Sequence, residues 1–217
     1  MTLAELLDET ARYRLRDRSD QISGVGDNLW PDEVLVRYLN QAQEQFCRRT
    51  HALTGERDVT LVVDTASYTL PTDMFMVYSG RVTGQNNDLR YDRNRRVALP
   101  ATTKGTPRYM DTDGPSKTLR VYPTPDATGT LILFGALLPT VLDINTPNQE
   151  SDVPSQYHEA LVDYAVFKAL SNRDVDGGAV GDSDRARVMF DTAVTLALVE
   201  VGRGRAGNLR NAGARWA

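Results

Sequence analysis

The sequence predicts an α+β chain: a four-helix bundle formed by N- and C-terminal helices, an inserted antiparallel β-sandwich or barrel module, and an extended C-terminal tail. Three observations give this reading. Apolar residues recur at helical spacing over residues 1–56 and again over residues 151–201. Between them, residues 57–150 switch to period-two runs punctuated by glycine and proline. Residues 202–217 then carry glycine at 202, 204, 207 and 213 with little to pack. Helices from opposite chain ends must bury their apolar faces against one another, so the strand-rich region reads as an insertion between them.

Each element has a local cause. Thr2 and Glu5 stand at capping-box spacing, and Leu3, Leu6, Leu7, Ala11 and Leu15 continue a helical stripe toward Arg12, Arg14, Arg16 and Arg18. Gly24 and Gly26 place a loop over residues 19–28. Pro31, Asp32 and Glu33 open a second helix, whose buried face reads as Val34, Leu35, Tyr38, Leu39, Ala42, Gln45 and Phe46, ending within residues 48–51. Six strands follow, over residues 59–63, 67–70, 74–82, 89–99, 119–122 and 131–136. A third helix has Ser155 as its expected N-cap and is apolar on most sides from Tyr157 to Leu170, which suits a central position. After a turn over residues 172–181, a fourth helix runs over residues 183–201, with Asp182 or Ser183 as its cap. Its buried face reads as Ala186, Met189, Phe190, Ala193, Val194, Ala197 and Val201.

Charge is segregated along the chain. Its net value is −4, yet residues 81–108 hold seven basic side chains against two acidic ones, and residues 202–217 hold four arginines and no acid. Such separation favours self-association or an acidic partner over a uniformly basic grip on nucleic acid. The apolar runs at 131–134 and 195–199 are far shorter than the ~20 residues of a membrane-spanning helix. The single cysteine, Cys47, excludes an internal disulfide framework and fits a reducing compartment, and the opening residues lack a secretory signal pattern.

No catalytic constellation emerges. Cys47 and His51 are four apart on a helix, but with only two histidines in the chain a packed cysteine and an exposed histidine explain them better than a metal site. The stretch 181–185 (GDSDR) lacks the closing glycine and the preceding strand of a nucleophile elbow. Residues 174–178 (DVDGG) lack the remaining ligands of a calcium loop. Expected, therefore, are no enzyme activity, no metal and no cofactor. Tyr68, Phe75, Tyr78, Tyr91, Tyr109 and Tyr122 alternate with arginines in the strand region. The runner-up is accordingly a single-stranded nucleic-acid-binding module that stacks bases on this surface.

Several segments in order resemble bacteriophage head-to-tail adaptor (head–tail connector) proteins: residues 35–46 (LVRYLNQAQEQF), 68–73 (YTLPTD), 107–111 (PRYMD), 119–125 (LRVYPTP), 138–143 (LPTVLD) and 153–170 (VPSQYHEALVDYAVFKAL). The similarity covers about residues 30–200. It implies a structural virion protein of the neck between capsid and tail, made in the host cytoplasm. It also implies a homo-oligomeric ring of twelve copies beneath the phage portal protein. Such a ring extends the DNA channel, passes double-stranded DNA without specific binding, docks the downstream tail or nozzle protein, and involves no membrane. The resemblance makes Arg203, Arg205, Leu209, Arg210, Arg215 and Trp216 the portal-docking tail. Arg90, Tyr91, Arg93, Arg95 and Arg96 become a contact surface for sibling subunits or the tail protein. A net-acidic subunit suits a conduit that must not retain phosphates, so acidic side chains are expected to outnumber arginines on the channel face.

Overall fold

The computed structural model describes residues 1–15, 30–91, 103–113, 116–171 and 180–213. It is mixed α+β, with four helices and two sheets. The chain divides into two compact units: residues Met1–Ala52 with Pro139–Ala217, and residues Leu53–Leu138.

The helical unit opens with α1 (Leu3–Leu7), closed by the capping box read from the sequence. Thr2 N–H donates to Glu5 Oε2 at 2.9 Å, and Glu5 N–H to Thr2 Oγ1 at 3.3 Å. Two further N–H groups of the first turn, on Leu3 and Ala4, donate to the carbonyls of Gln149 and Pro147. The expected α-helix does not continue unchanged. From Asp8 to Arg14 the turns widen to a π-helix, with Leu15 N–H reaching Thr10 O at 3.0 Å. Buried Thr10 supplies a cause: its hydroxyl takes the Leu6 carbonyl at 2.7 Å, competing with the regular ladder.

Helix α2 (Asp32–Thr50) starts where proline and acids predict, and ends on His51 in the left-handed conformation, whose N–H closes onto Cys47 O. Leu35, Leu39, Ala42, Phe46 and Cys47 are fully buried. On another side α2 holds the extended segment that follows the strands. The Asn40 amide donates to Leu142 O at 2.9 Å and accepts from Leu142 N–H at 2.8 Å, pairing with the backbone as a neighbouring strand would. Buried Gln43 donates to Thr140 O and accepts from Ser151 Oγ. Two amide side chains thus satisfy a segment with no sheet partner of its own.

Helix α3 (His158–Ser171) is preceded by a tighter turn over Ser155–Tyr157. Ser155, the expected N-cap, therefore lies inside the turn, with its carbonyl accepting from His158 N–H. Helix α4 (Val180–Gly213) packs against α2 and α3, and α3 also packs against the Asp8–Arg14 turns. Phe46 is the aromatic hub, its ring 5.0 Å from Tyr157 and 6.5 Å from Phe190. Tyr157 donates its hydroxyl to the Glu200 carboxylate, tying the start of α3 to α4. Ser183 does not cap α4. It lies buried in the first turns and meets Ser171 Oγ at 2.9 Å.

Residues 202–213, expected as an extended tail, continue α4. No proline interrupts them, each glycine costs only about 1 kcal/mol relative to alanine, and extending an existing helix avoids the cost of nucleation.

The strand unit holds β1 (Thr54–Leu61), β2 (Ser67–Thr69), β3 (Met74–Val82), β4 (Arg90–Tyr91), β5 (Tyr109–Asp113), β6 (Thr118–Tyr122) and β7 (Gly129–Leu137). One sheet has the order β1-β7-β3, the other β2-β6-β5-β4. β1 begins five residues before the expected strand because it pairs with β7 along its whole length, Thr54 opposite Ala136 and Leu61 opposite Gly129. Backbone pairing with the central strand outweighs the polar sequence of residues 54–58. Strand β5 was missing from the six expected, and β4 pairs with it in parallel, so the second sheet is not wholly antiparallel. Leu61, Met74, Leu131, Leu133 and Leu137 from one sheet meet Met110, Leu119 and Val121 from the other in a single buried cluster.

Candidate functional site

Helix α4 carries apolar side chains on two faces. Ser183, Ala186, Phe190, Val194 and Ala197 are buried at helical spacing. On the outward side stand Val188, 61% exposed, and Met189, 51% exposed, followed two to three turns later by Leu196 and Val199. Met189, read from sequence as buried, belongs to this outward set. A helix with one apolar stripe spent on its own core and a second left in water is suited to a protein contact.

Beside that stripe lies a shallow groove of about 310 Å³ lined by Arg49, Tyr164, Phe167, Arg187, Phe190 and Asp191. Its floor is aromatic, with the Tyr164 and Phe190 rings 4.9 Å apart. Cations lie over the rings: Arg49 Cζ is 5.7 Å from Phe190, Arg187 Cζ 5.8 Å from Phe167, and Lys168 Nζ 5.7 Å from both Tyr164 and Phe167. One carboxylate, Asp191, faces these cations, 2.6 Å from Arg49 and 3.9 Å from Arg187. Both members of the Arg49–Asp191 pair are more than two-fifths exposed, so the pair contributes at most ~1 kcal/mol to stability. The groove is open and shallow, and it has room for a side chain or two of a partner.

A second concavity, about 450 Å³, is lined by Glu33, Val36, Val141, Leu142, Asp143 and Ile144. Val141 is 70% exposed and Ile144 stands beside it, both held out by the Asn40 and Gln43 amide bonds to their segment. Residues 31–37 and 139–154 together carry Asp32, Glu33, Asp143, Glu150 and Asp152 against one cationic side chain, Arg37.

The site residues read from sequence fall differently. Arg90 and Tyr91 form β4, last in the β2-β6-β5-β4 order, and both are exposed; Tyr91 Oη sits 2.7 Å from Thr112 Oγ1. Arg93, Arg95 and Arg96 lie outside the described residues. Arg203, Arg205, Leu209 and Arg210 belong to the backbone of α4, whereas Arg215 and Trp216 lie outside the described residues. Of the aromatic side chains read as a base-stacking surface, Tyr68 donates its hydroxyl to Thr65 O at 2.6 Å, and Tyr78 packs on Phe134 at 6.0 Å. Sequence reasoning missed the Arg49/Tyr164/Phe167/Arg187 groove. The available signal was the apolar excess of α3: Tyr164 and Phe167 exceed what one buried face can absorb.

Three ionisable groups of the helical unit, Cys47, His158 and Asp163, are buried. Burial, helped by the nearby Asp152 charge, pushes the Cys47 thiol up to about 12, which opposes the thiolate a metal site requires. Among the described residues no cluster of three or more His, Cys, Asp or Glu could hold a metal ion, and no helix is long and apolar enough to cross a membrane.

Buried His158 lies between the Met1 ammonium, 2.7 Å from Nδ1, and Val153 O, 2.7 Å from Nε2. An ammonium can only donate, so Nδ1 accepts and Nε2–H donates, which fixes the neutral ring. Burial lowers the His158 pKa from 6.5, outweighing the opposite pull of the Val153 carbonyl. The unfolded chain therefore binds this proton more tightly. Its contribution to stability is full above the unfolded value and declines as pH falls through about 6.5 toward the folded value. The melting temperature is expected to drop on acidification from about pH 7.5 to about pH 5.5, with His158→Gln flattening that slope. A wild-type slope retained by His158→Gln would assign it to other groups. Asp163, raised above 3.8 mainly by burial despite Arg14, acts with the opposite sign at more acid pH.

A family model described as SU10 adaptor protein matches residues 1–215 of the chain. No curated protein matches it.

Proposed function

Because the chain belongs to the SU10 adaptor protein family, a family of phage head-to-tail adaptors, we propose that it is a structural, non-catalytic subunit of the virion neck. In this reading twelve copies close into a ring beneath the portal protein. The ring prolongs the DNA channel without gripping DNA and presents a docking surface to the next tail component. The helical unit acts as a four-helix bundle and the strand unit as an inserted sandwich.

The match over nearly the whole chain carries the reading. The outward apolar stripe of α4 supports it, because a subunit destined for a closed ring needs a surface that water alone does not satisfy. So does the exposed sheet position of Arg90 and Tyr91, which we assign, with Arg93, Arg95 and Arg96, to contacts with sibling subunits or the tail protein. The C-terminal segment bearing Arg203, Arg205, Leu209, Arg210, Arg215 and Trp216 is assigned to the portal. Its arginines suit bidentate pairing with carboxylates, and its apolar residues serve as anchors.

Deleting residues 202–217 is expected to abolish attachment to purified portal rings, scored by co-sedimentation and negative-stain imaging, while the melting temperature of the chain changes little. Truncated protein that binds portal rings as the full chain does would move the docking function elsewhere.

A further inference from the structure

Resting on that reading, we propose that neighbouring copies join by setting the acidic, apolar surface around Val141, Asp143 and Ile144 of one subunit against the Arg49/Tyr164/Phe167/Arg187 groove of the next. Both surfaces belong to the helical unit and so have a fixed relation to each other. They lie on opposite sides of it. Along α2, Glu33 and Val36 line the first surface and Arg49 the second; at roughly 100° per residue, Arg49 is turned roughly 140–160° away from them and displaced by roughly 20–24 Å along the axis. Two different patches on opposite sides of one body make a head-to-tail interface, the kind that closes a ring.

The chemistry is complementary. That surface offers Val141, 70% exposed, and Ile144, 36% exposed, beside Glu33 and Asp143, with Arg37 one helical turn beyond Glu33 as the cation nearest in sequence. The groove offers an aromatic floor, with Lys168 over its rings and with Arg49 and Arg187 beside the carboxylate of Asp191. Aliphatic tips on the rings would bury apolar surface, while Asp143 meets Arg187, a residue whose other carboxylate neighbour is a distant 3.9 Å away. The outward stripe of α4 extends the same contact beyond the groove.

The test uses the full chain in virions, with a short thiol-reactive cross-linker. Cys47, the one native cysteine of the chain, is buried, so within this chain the introduced cysteines are the reactive ones, and the covalent species are identified as multiples of this chain by immunoblot. The double variant Asp143→Cys with Arg187→Cys is expected to give a ladder of covalent species extending past the dimer, whereas either single variant gives none beyond the dimer. As a second arm, Asp143→Arg and Arg187→Glu are each expected to lower incorporation about tenfold or more, with the two together restoring it. If the chain is present in virions and the ladder stops at the dimer, or if the charge exchange fails to rescue, this pairing is wrong while the adaptor reading stands. Absence of the wild-type chain from virions overturns both.

Discussion

Phe46→Ala is expected to cost the helical unit about 3–5 kcal/mol, the range for removing a fully buried phenylalanine. The ring sits on α2, between Tyr157 at the start of α3 and Phe190 on α4. Its loss opens a void where segments from the two ends of the chain meet, and Tyr157 and Phe190 are themselves held by other contacts, so the gap cannot simply collapse. A total stability of 5–15 kcal/mol is typical of a domain, so the variant should populate unfolded helical unit at physiological temperature. Urea unfolding read by near-ultraviolet circular dichroism checks this. Phe46→Leu, which keeps most of the volume, should lose markedly less. If both substitutions cost under about 1 kcal/mol, the aromatic hub does not hold the unit together.

The second large effect is in the strand unit. A Cβ at Gly135 would run into the carbonyl oxygen of Met76, where β3 shifts register against β7. Backbone cannot rotate away as a side-chain tip does, so β3 or β7 must move, and β7 is the central strand that both β1 and β3 need. Gly135→Val is expected to destabilise the unit by about 3 kcal/mol or more, and Gly135→Ala by somewhat less. The contrasting control is Gly202→Ala. It lies on α4 with nothing within 4 Å of the added carbon and should be stabilising by up to about 1 kcal/mol. Hydrogen exchange of the β1, β3 and β7 amides reads the first effect directly. Unchanged protection in Gly135→Val would mean that the bulge adapts.

The elements legible in the sequence were those set by local chemistry. The Thr2–Glu5 capping box, the Pro31-Asp32-Glu33 start of α2 and the β3 limits can be read from neighbouring residues, and they stand where expected. What failed was set at a distance. β1 extends back over Thr54–Asp58 because β7 is there to pair with it, and a polar pentapeptide gives no warning of its partner. The widened turns after Leu7 follow from one hydroxyl choosing one carbonyl. Met189 was placed with the core because α4 carries two apolar stripes, and a list of apolar positions does not say which faces inward. The groove was invisible for a related reason. Arg49, Phe167 and Arg187 come from three helices, and only the packing of α2, α3 and α4 brings them together. The resemblance to adaptor proteins was legible because it rests on the order of several short segments, which needs no knowledge of their contacts.

The most direct measurement is an electron cryomicroscopy map of the particle neck, with this chain identified by side-chain density or a fused tag. A closed ring of copies between portal and tail is the predicted result. Particles with a complete neck that holds none of this chain would contradict the assignment.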